Sequence, residues 1–464
     1  METGLEQDRR GARQVQESGR RAAHLQPRLR DQGMRRLALT FVNHAGAPLV
    51  KVVPLERIEK VAREGVGFSP VSDAWRVDGL PDPDHPLAVP DGDLRLIPDL
   101  GALLPLEAAT GWCWAPAERW QRDGTPYGLD QRGFCRRRQA LLAAAGIEVR
   151  MGFEIEWTVA RPGAEGQPTA AVAGGPYGAD RVVNGLDYLA ALTDALDAAG
   201  LPWLQVHPEY GAGQFELSLA AADPLSAADR QVAARLLIQR VTDRFGWRAT
   251  FSPLPDPAQV GNGGHLHLSL RRHGVPLLQG GSGTADLPAA GEGLLGSLLH
   301  HLPALLAIGC PLAVSYRRLG PGRWSAPFRV WGVENREAAL RLVPAAADGA
   351  PAHLEIKGAD LAANPYLLCG AVLALLEEGL RQPRPLPPPV AGDPAQQPDP
   401  PERLPTTLEA ASAAFAACRP LAEAMGEGLH RSLVETQRAE GRRAAALDEA
   451  ALIASTRWLP PFLS

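Results

Sequence analysis

The chain has 464 residues, 45% of them hydrophobic and 21% charged, with 10 Trp; this length suits two domains and this composition excludes wholesale disorder. Its 47 basic and 52 acidic residues leave a net charge of −5, which argues against nucleic-acid or membrane-surface partners, since both call for a basic excess. No apolar run is long enough for a membrane span, the N-terminus lacks the apolar stretch of a secretory signal, and the five scattered cysteines, with no CxxC, read as free thiols of a reducing cytosol.

Residues 1–35 are polar and Arg-rich, which predicts a helix or a flexible tail. Leu37–Val42 and Leu49–Val53 are strand-like runs around Asn43-His44-Ala45-Gly46, which predicts a hairpin, and Leu55–Glu64 reads as a short helix. Pro, Gly and Asp with brief apolar bursts such as Leu94–Ile97 extend this into a small β-rich unit over 36–128. A larger unit, 129–464, opens with a helical pattern at Gly133–Ala145. Further helices are predicted at Leu186–Ala199, at Ala227–Phe245 after the starting pair Asp223-Pro224, at Gly291–Ala307 and at Asn364–Leu380. The prolines of 382–405 predict a loop of polyproline character, followed by helices Leu408–Gly426 and Leu429–Ala445.

Four segments of the larger unit share one feature. In Val149–Val159 the odd positions are apolar and the even ones include Glu154 and Glu156, so a strand places both carboxylates on one face. Gly213–Leu219 repeats the alternation with Gln214, Glu216 and Ser218, Gly264–Leu270 with His265, His267 and Ser269, and His353–Lys357 with His353, Glu355 and Lys357. Any one of them fits an antiparallel sheet with one wet face. Together they carry Glu, His and Gln where surface strands carry Thr, Lys and Ser, and carboxylates two apart on a strand repel unless a cation lies between them. Glu154, Glu156, Glu216, Glu355 and His265, with the loop carboxylate Glu209, would make a site for hard divalent ions, Mg²⁺ or Mn²⁺ rather than zinc. Only three lysines occur, so arginine is the default cation; Arg317, Arg318, Arg336 and Arg341 beside such a site read as phosphate and carboxylate clamps. Metals with arginines point to phosphoryl transfer, although no P-loop occurs and Gly261-Asn262-Gly263-Gly264 leads into a strand instead of a helix.

From about Leu37 to the C-terminus the chain resembles the glutamine synthetase family. The resemblance rests on five collinear blocks: Phe153-Glu154-Ile155-Glu156; Glu209 with Gly213-Gln214-Phe215-Glu216; Gly261-Asn262-Gly263-Gly264-His265-Leu266-His267; Asn335-Arg336 with Arg341; and Glu355, Asp360, Asn364-Pro365-Tyr366. Arg318–Pro327 and Trp331-Gly332 are most similar to the branch that joins glutamate to amines larger than ammonia. The resemblance implies an α+β architecture with a small N-terminal β-grasp domain and a catalytic domain whose antiparallel-rich sheet lines a funnel. It implies ring hexamers, usually two stacked as a dodecamer. It also implies two or three divalent ions per site, one held by Glu156, Glu209 and Glu216 and another by Glu154, His265 and Glu355. His267 and Ser269 match nucleotide-holding positions, Gly261 and Arg318 glutamate-holding ones, and Arg336 and Arg341 positions against the transferred phosphate and ATP. The reaction implied is ATP-dependent formation of a γ-glutamyl amide through γ-glutamyl phosphate.

Three positions depart from the family pattern. Asn43 aligns where an aspartate takes the proton of the incoming ammonium, Arg323–Ser325 carries no acid where a glutamate flap is usual, and Lys357 replaces an arginine in the substrate site; His353 likewise stands for an arginine. With Asn43 unable to accept a proton, the expectation is poor use of ammonia and better use of a bulky or weakly basic amine, for which Trp324 could supply a face. The alternative reading is a catalytically impaired family member with a binding or regulatory role. Survival of all six metal-ligand positions favours the ligase.

Overall fold

The computed structural model describes residues 9–107, 110–161, 168–347 and 349–458; residues 1–8 of the expected N-terminal segment and 459–464 of the larger unit lie outside them. The Arg-rich start forms α1 (Ala12–Asp31), which buries Gly19, Ala22 and Leu29. It is a docked helix, not a tail. Strands β1 (Arg36–Val42), β2 (Pro48–Pro54), β3 (Val66–Phe68), β4 (Leu94–Pro98), β5 (Leu104–Glu107) and β6 (Trp112–Trp120) follow, with α2 (Ile58–Glu64) after β2. β1 and β2 make the expected hairpin, and β1 also pairs in parallel with β6, in a sheet ordered β2-β1-β6-β4-β3 with β5 beside β6. Leu37, Leu39 and Phe41, two apart on β1, share one face and pack with Ala22, Leu29, Ile58 and Val61 of the two helices.

The second unit opens with α3 (Gln131–Ala144), capped by Asp130, whose carboxylate accepts the Gly133 N–H at 2.7 Å. A ten-stranded sheet then builds up from β7 (Ile147–Arg161), β8 (Thr169–Ala170), β9 (Trp203–Pro208), β10 (Gln214–Leu219), β11 (Arg248–Thr250), β12 (Leu266–Arg272), β13 (Val275–Pro276), β14 (Phe328–Val333), β15 (Ala338–Val343) and β16 (His353–Ile356). Its order is β14-β15-β16-β12-β7-β10-β9, with β8 and β11 on β7 and β13 on β12. Among the described residues of this sheet, only β14 and β15 pair in parallel.

Helices α4 (Ala179–Asn184), α5 (Leu186–Ala198), α6 (Pro224–Arg244), α7 (Ala289–Gly309), α8 (Ser315–Arg318), α9 (Pro365–Arg381), α10 (Leu408–Ala416), α11 (Arg419–Met425), α12 (Glu427–Ala445) and α13 (Glu449–Thr456) complete the chain. Met151, Phe153, Ile155 and Trp157 of β7, Phe215 and Leu217 of β10 and Leu266 and Leu268 of β12 share one core with α5, α6, α7 and α9. The alternate residues of those strands therefore point to the opposite face. Asp223 and Asn364 cap α6 and α9, each with proline in the first turn, where its missing N–H costs nothing. The segment Leu408–Gly426, expected as one helix, is two: Pro420 starts α11 and ends the continuity. The proline-rich segment lines the β14 edge, where Trp331 donates its indole N–H to the Pro387 carbonyl at 2.6 Å.

The two units are tied by buried polar groups. Arg132 of α3 pairs with Asp229 of α6 at 2.8 Å and with Asp99 and Glu118 of the small unit at 2.8 and 3.1 Å. The Asn364 carboxamide donates to the Val42 and Asn43 carbonyls at 3.2 and 3.1 Å. Among the described residues, no helix is long and apolar enough to cross a membrane. All five cysteines are buried and unpaired.

Candidate active site

The polar face of the ten-stranded sheet opens into a cleft of about 670 Å³. Strand register sets its floor. Glu156 and Glu216 lie directly opposite on β7 and β10, Glu154 is opposite Ser218, and His267 of β12 is opposite Glu355 of β16. Glu154, Glu156, Glu209, Glu216, His265, His267 and Glu355 all line the cleft. The phase of four strands thus brings distant residues to one place.

Two groups of donors converge there. Glu154, His267 and Glu355 form one, and His207, Glu209 and Glu216 the other, each with its ligand atoms within 4.8 Å of one another. His265 joins the first: its Nδ1 lies 2.9 Å from Glu154 and 3.3 Å from Glu355, and its Nε2 lies 4.0 Å from Glu156. His267, expected at the nucleotide, also reaches Glu154, at 3.0 Å. His207 was not expected at all; it lies 3.3 Å from Glu216 and 3.5 Å from Glu209. Its signal was available in the sequence, where His207, in β9, stands two residues before the loop carboxylate Glu209; in the sheet it lies opposite Glu216.

Electrostatics separate the carboxylates. Burial, reinforced by Glu216 and Glu209 against the relief of His265, pushes the Glu156 carboxyl up to about 7, and burial also raises Glu216. Burial opposes ionisation of Glu154 too, but hydrogen bonds from His265 and His267 hold it far below the usual range. Glu355 is held down to about 2, because Lys357, His265 and His267 outweigh burial. The hydrogen bond to Glu216 raises His207 to about 9 against the effect of burial. Buried carboxylates gathered this closely, only partly relieved by the histidines and Lys357, could hold a hard divalent ion.

Supporting groups fix the ligand atoms. The Gly263 N–H donates to Glu156 at 2.8 Å, and the Gln214 carboxamide nitrogen lies 3.0 Å from the same carboxylate oxygen. A Cβ on Gly263 would meet His265 at 2.6 Å and Glu156 at 2.8 Å. The Gly261–Gly264 segment thus buttresses a carboxylate. Arg181, buried, donates to the carbonyls of Glu209 and Gly211 at 2.7 Å each and shapes that loop. Nothing in an Arg-rich sequence sets this one apart. Tyr177 donates its hydroxyl to Glu209 at 2.7 Å, and its ring stacks on His207.

Cations face the first donor group. Arg341 reaches Glu355 at 3.0 Å and Lys357 reaches it at 3.3 Å. Arg336 and Arg318 line the cleft as well, Arg318 donating to the Ala359 carbonyl at 3.0 Å. Gly261 lies against Arg318, where a Cβ would clash with the Arg318 stem. Ser269, expected at the nucleotide, is not among the residues lining the cleft.

Asn43 is elsewhere. Its side chain donates to the Ser72 carbonyl at 3.0 Å and accepts the Ala47 N–H at 3.0 Å, and the residue is 0% exposed. With no exposed surface in this chain, and with its amide oxygen engaged by Ala47 in its own turn and its amide nitrogen by Ser72, this side chain presents no group to the cleft. The catalytic role expected of Asn43 is therefore corrected to a structural one, and the inference of a weakly basic acceptor falls with it.

A family model described as "Glutamine synthetase, catalytic domain" matches residues 128–450. The chain is 41% identical over 449 residues to the gamma-glutamylpolyamine synthetase GlnA3 of Streptomyces coelicolor, covering 94% of this chain and 96% of that one. A solved glutamine synthase homologue superposes with a TM-score of 0.82 at 29% identity, covering 91% of this chain and 98% of its own. An ADP complex of GmaS superposes with a TM-score of 0.81 at 27% identity, over 92% and 97% of the two chains.

Proposed function

The chain belongs to the glutamine synthetase family and is an ATP-dependent carbon–nitrogen ligase; we propose that it joins glutamate to an amine larger than ammonia, of the polyamine class, as a γ-glutamyl amide. The observation that carries this reading is one cleft lined both by two carboxylate–histidine groups and by Arg318, Arg336, Arg341 and Lys357. The polyamine class is supported by the likeness to the Streptomyces enzyme along nearly the whole chain. An aliphatic polyamine is cationic at neutral pH, so this acceptor replaces the weakly basic one.

Mg²⁺ or Mn²⁺ would be held by His207, Glu156, Glu209 and Glu216 on one side and by Glu154, His265 and Glu355 on the other, with His267 beside them. Such ions neutralise phosphate charge during transfer. Gly261 and Arg318 seat the glutamate, and Arg341 seats ATP. The glutamate γ-carboxylate attacks the γ-phosphorus, ADP leaves, and γ-glutamyl phosphate forms while Arg336 stabilises the charge in transit. The amine, after losing a proton, attacks the acyl carbon and phosphate leaves from the tetrahedral intermediate. Lys357, a point charge where the family has a fork, secures Glu355 without a bidentate grip.

The small sheet, with its parallel β1–β6 pair and packed helices, supports a β-grasp assignment for 36–128. Assembly into hexameric rings, single or stacked, follows the family, and five unpaired thiols suit the cytosol. The test is phosphate release and product mass with ATP, Mg²⁺, glutamate and a panel of ammonia, butylamine, 1,4-diaminobutane and a linear triamine. The expected result is glutamate-dependent turnover that is best with the di- and triamine. No turnover with any amine would leave the binding-protein reading instead.

A further inference from the structure

Tyr210 and Trp324 come from opposite edges of the ten-stranded sheet. Tyr210 follows β9, the strand at one edge, and Trp324 precedes β14, the strand at the other. The sheet curls enough for their rings to meet edge to face, with centroids 6.2 Å apart and planes at 78°. Both line the cleft, yet Tyr210 is 52% and Trp324 53% exposed. Large aromatic rings left half bare at a cleft mouth offer π faces to whatever enters.

The Trp324 loop is held in a costly shape. Gly322, Trp324 and Ala326 all lie at positive φ (68°, 52° and 54°), a region that residues with a side chain avoid. Two braces maintain it. The buried Glu337 carboxylate accepts the Trp324 N–H at 2.7 Å, and Ser325 Oγ both accepts the Gly320 N–H at 2.9 Å and donates to its carbonyl at 3.0 Å. Glu337 adjoins Arg336 in sequence, so the loop that carries the indole is registered to the cation of the cleft. Strain retained at a mouth and paired with exposed aromatics points to a preorganised contact with a ligand.

We propose that Tyr210 and Trp324 form a subsite for the distal, unreacting ammonium of the acceptor, with Glu337 as the positioning residue; the inference rests on the polyamine reading above. The reacting nitrogen must come to the glutamyl group at the base of the cleft, which leaves the remaining cation of a diamine or triamine toward the mouth. Trp and Tyr faces attract a cation there and select against a monoamine of equal length, which brings only a methyl group.

The experiment compares KM for 1,4-diaminobutane and butylamine in the wild type and in Trp324→Leu, Trp324→Phe, Tyr210→Leu, Glu337→Ala and Glu337→Gln. Trp324→Leu should raise KM for the diamine about five-fold beyond any rise for butylamine, with the KM values for ATP and glutamate much less affected. Trp324→Phe should recover most of that discrimination, and Tyr210→Leu should lose it independently. Glu337→Ala should lose it too, whereas Glu337→Gln, which keeps an acceptor oxygen for the loop, should restore it. Equal changes for the two amines would overturn the subsite alone. A rise confined to the KM for ATP would assign the rings to the nucleotide and overturn it as well. A wild type that uses no diamine would bring down the polyamine reading first, and the subsite with it.

Discussion

Glu156 and Glu216 face each other directly across the β7–β10 ladder, both buried. Like charges in that relation cost roughly 0.2–1 kcal/mol even on an open sheet, and here burial adds to the cost. Glu216→Gln should therefore leave the metal-free fold as stable as the wild type or slightly more so, while phosphate release drops at least about 100-fold. Mn²⁺ or Mg²⁺ should raise the wild-type melting temperature, by about 2.7 kcal/mol of stability at a hundredfold excess over Kd, and raise that of Glu216→Gln much less. Thermal melts with and without chelator measure both. A full metal-dependent rise in the variant would remove Glu216 from the ligand set.

Glu355 supports a second prediction of the same kind. It is buried between Arg341 and Lys357 and beside His265. Glu355→Ala should abolish ATP cleavage and leave assembly, read by light scattering, intact. Full activity in this variant would refute its place in the site.

The small unit carries its own electrostatic dependence on pH. Asp73, fully buried, takes two hydrogen bonds from Arg119 at 2.7 and 2.8 Å and lies 3.0 Å from His44. Burial favours its neutral form, but Arg119 and His44 override that and hold the carboxyl far below its ordinary value. The folded state thus binds this proton less tightly than the unfolded chain does. The stabilisation is fully present above the unfolded carboxyl value, near pH 4, and is lost as pH falls toward the folded one. Asp73→Asn should cost about 3–5 kcal/mol at pH 7 by stranding part of Arg119, and less at pH 3. Urea unfolding at the two pH values checks this; a cost that does not shrink on acidification would contradict it.

Arg132 fixes the junction between the units. Its guanidinium is shared by Asp229, Asp99 and Glu118, a geometry that a lysine cannot copy. Arg132→Lys should therefore destabilise almost as much as Arg132→Ala, by about 3 kcal/mol or more. Denaturant midpoints of the two variants would show it, and a lysine variant of wild-type stability would refute it.

How much of this the sequence disclosed depends on the range of the interaction. Strand alternation is local, and because one face had to be apolar to pack on α5 and α6, the opposite face was legible as Glu154, Glu156, Glu216, His265, His267 and Glu355. Helix starts were legible for the same reason, since Asp223 and Asn364 act on N–H groups within their own first turns. The meeting of Tyr210 with Trp324 and the grip of Arg181 on the Glu209 loop depend on how far the sheet curls. No local pattern encodes that. Asn43 failed in another way: family position suggested a catalytic group, but Ser72, 29 residues on in the chain, supplies the partner that buries it.

That burial reverses the expectation for Asn43→Asp. If Asn43 were a missing base, the aspartate would bring ammonia into use as an acceptor. In the structure its amide nitrogen donates to the Ser72 carbonyl at 3.0 Å, its amide oxygen accepts from Ala47, and Asn364 binds its backbone carbonyl at 3.1 Å. An aspartate has no donor when ionised, so it would set a carboxylate oxygen against the Ser72 carbonyl in a fully buried site. Loss of that bond and an unsatisfied acceptor cost about 1–3 kcal/mol, and more if the charge persists. Asn43→Asp should therefore lower the melting temperature, most of all at neutral pH, where the carboxylate is ionised. It should leave the ratio of kcat/KM for ammonia to kcat/KM for 1,4-diaminobutane unchanged in the folded fraction. A selective gain with ammonia at unchanged stability would show that Asn43 does reach an acceptor after all.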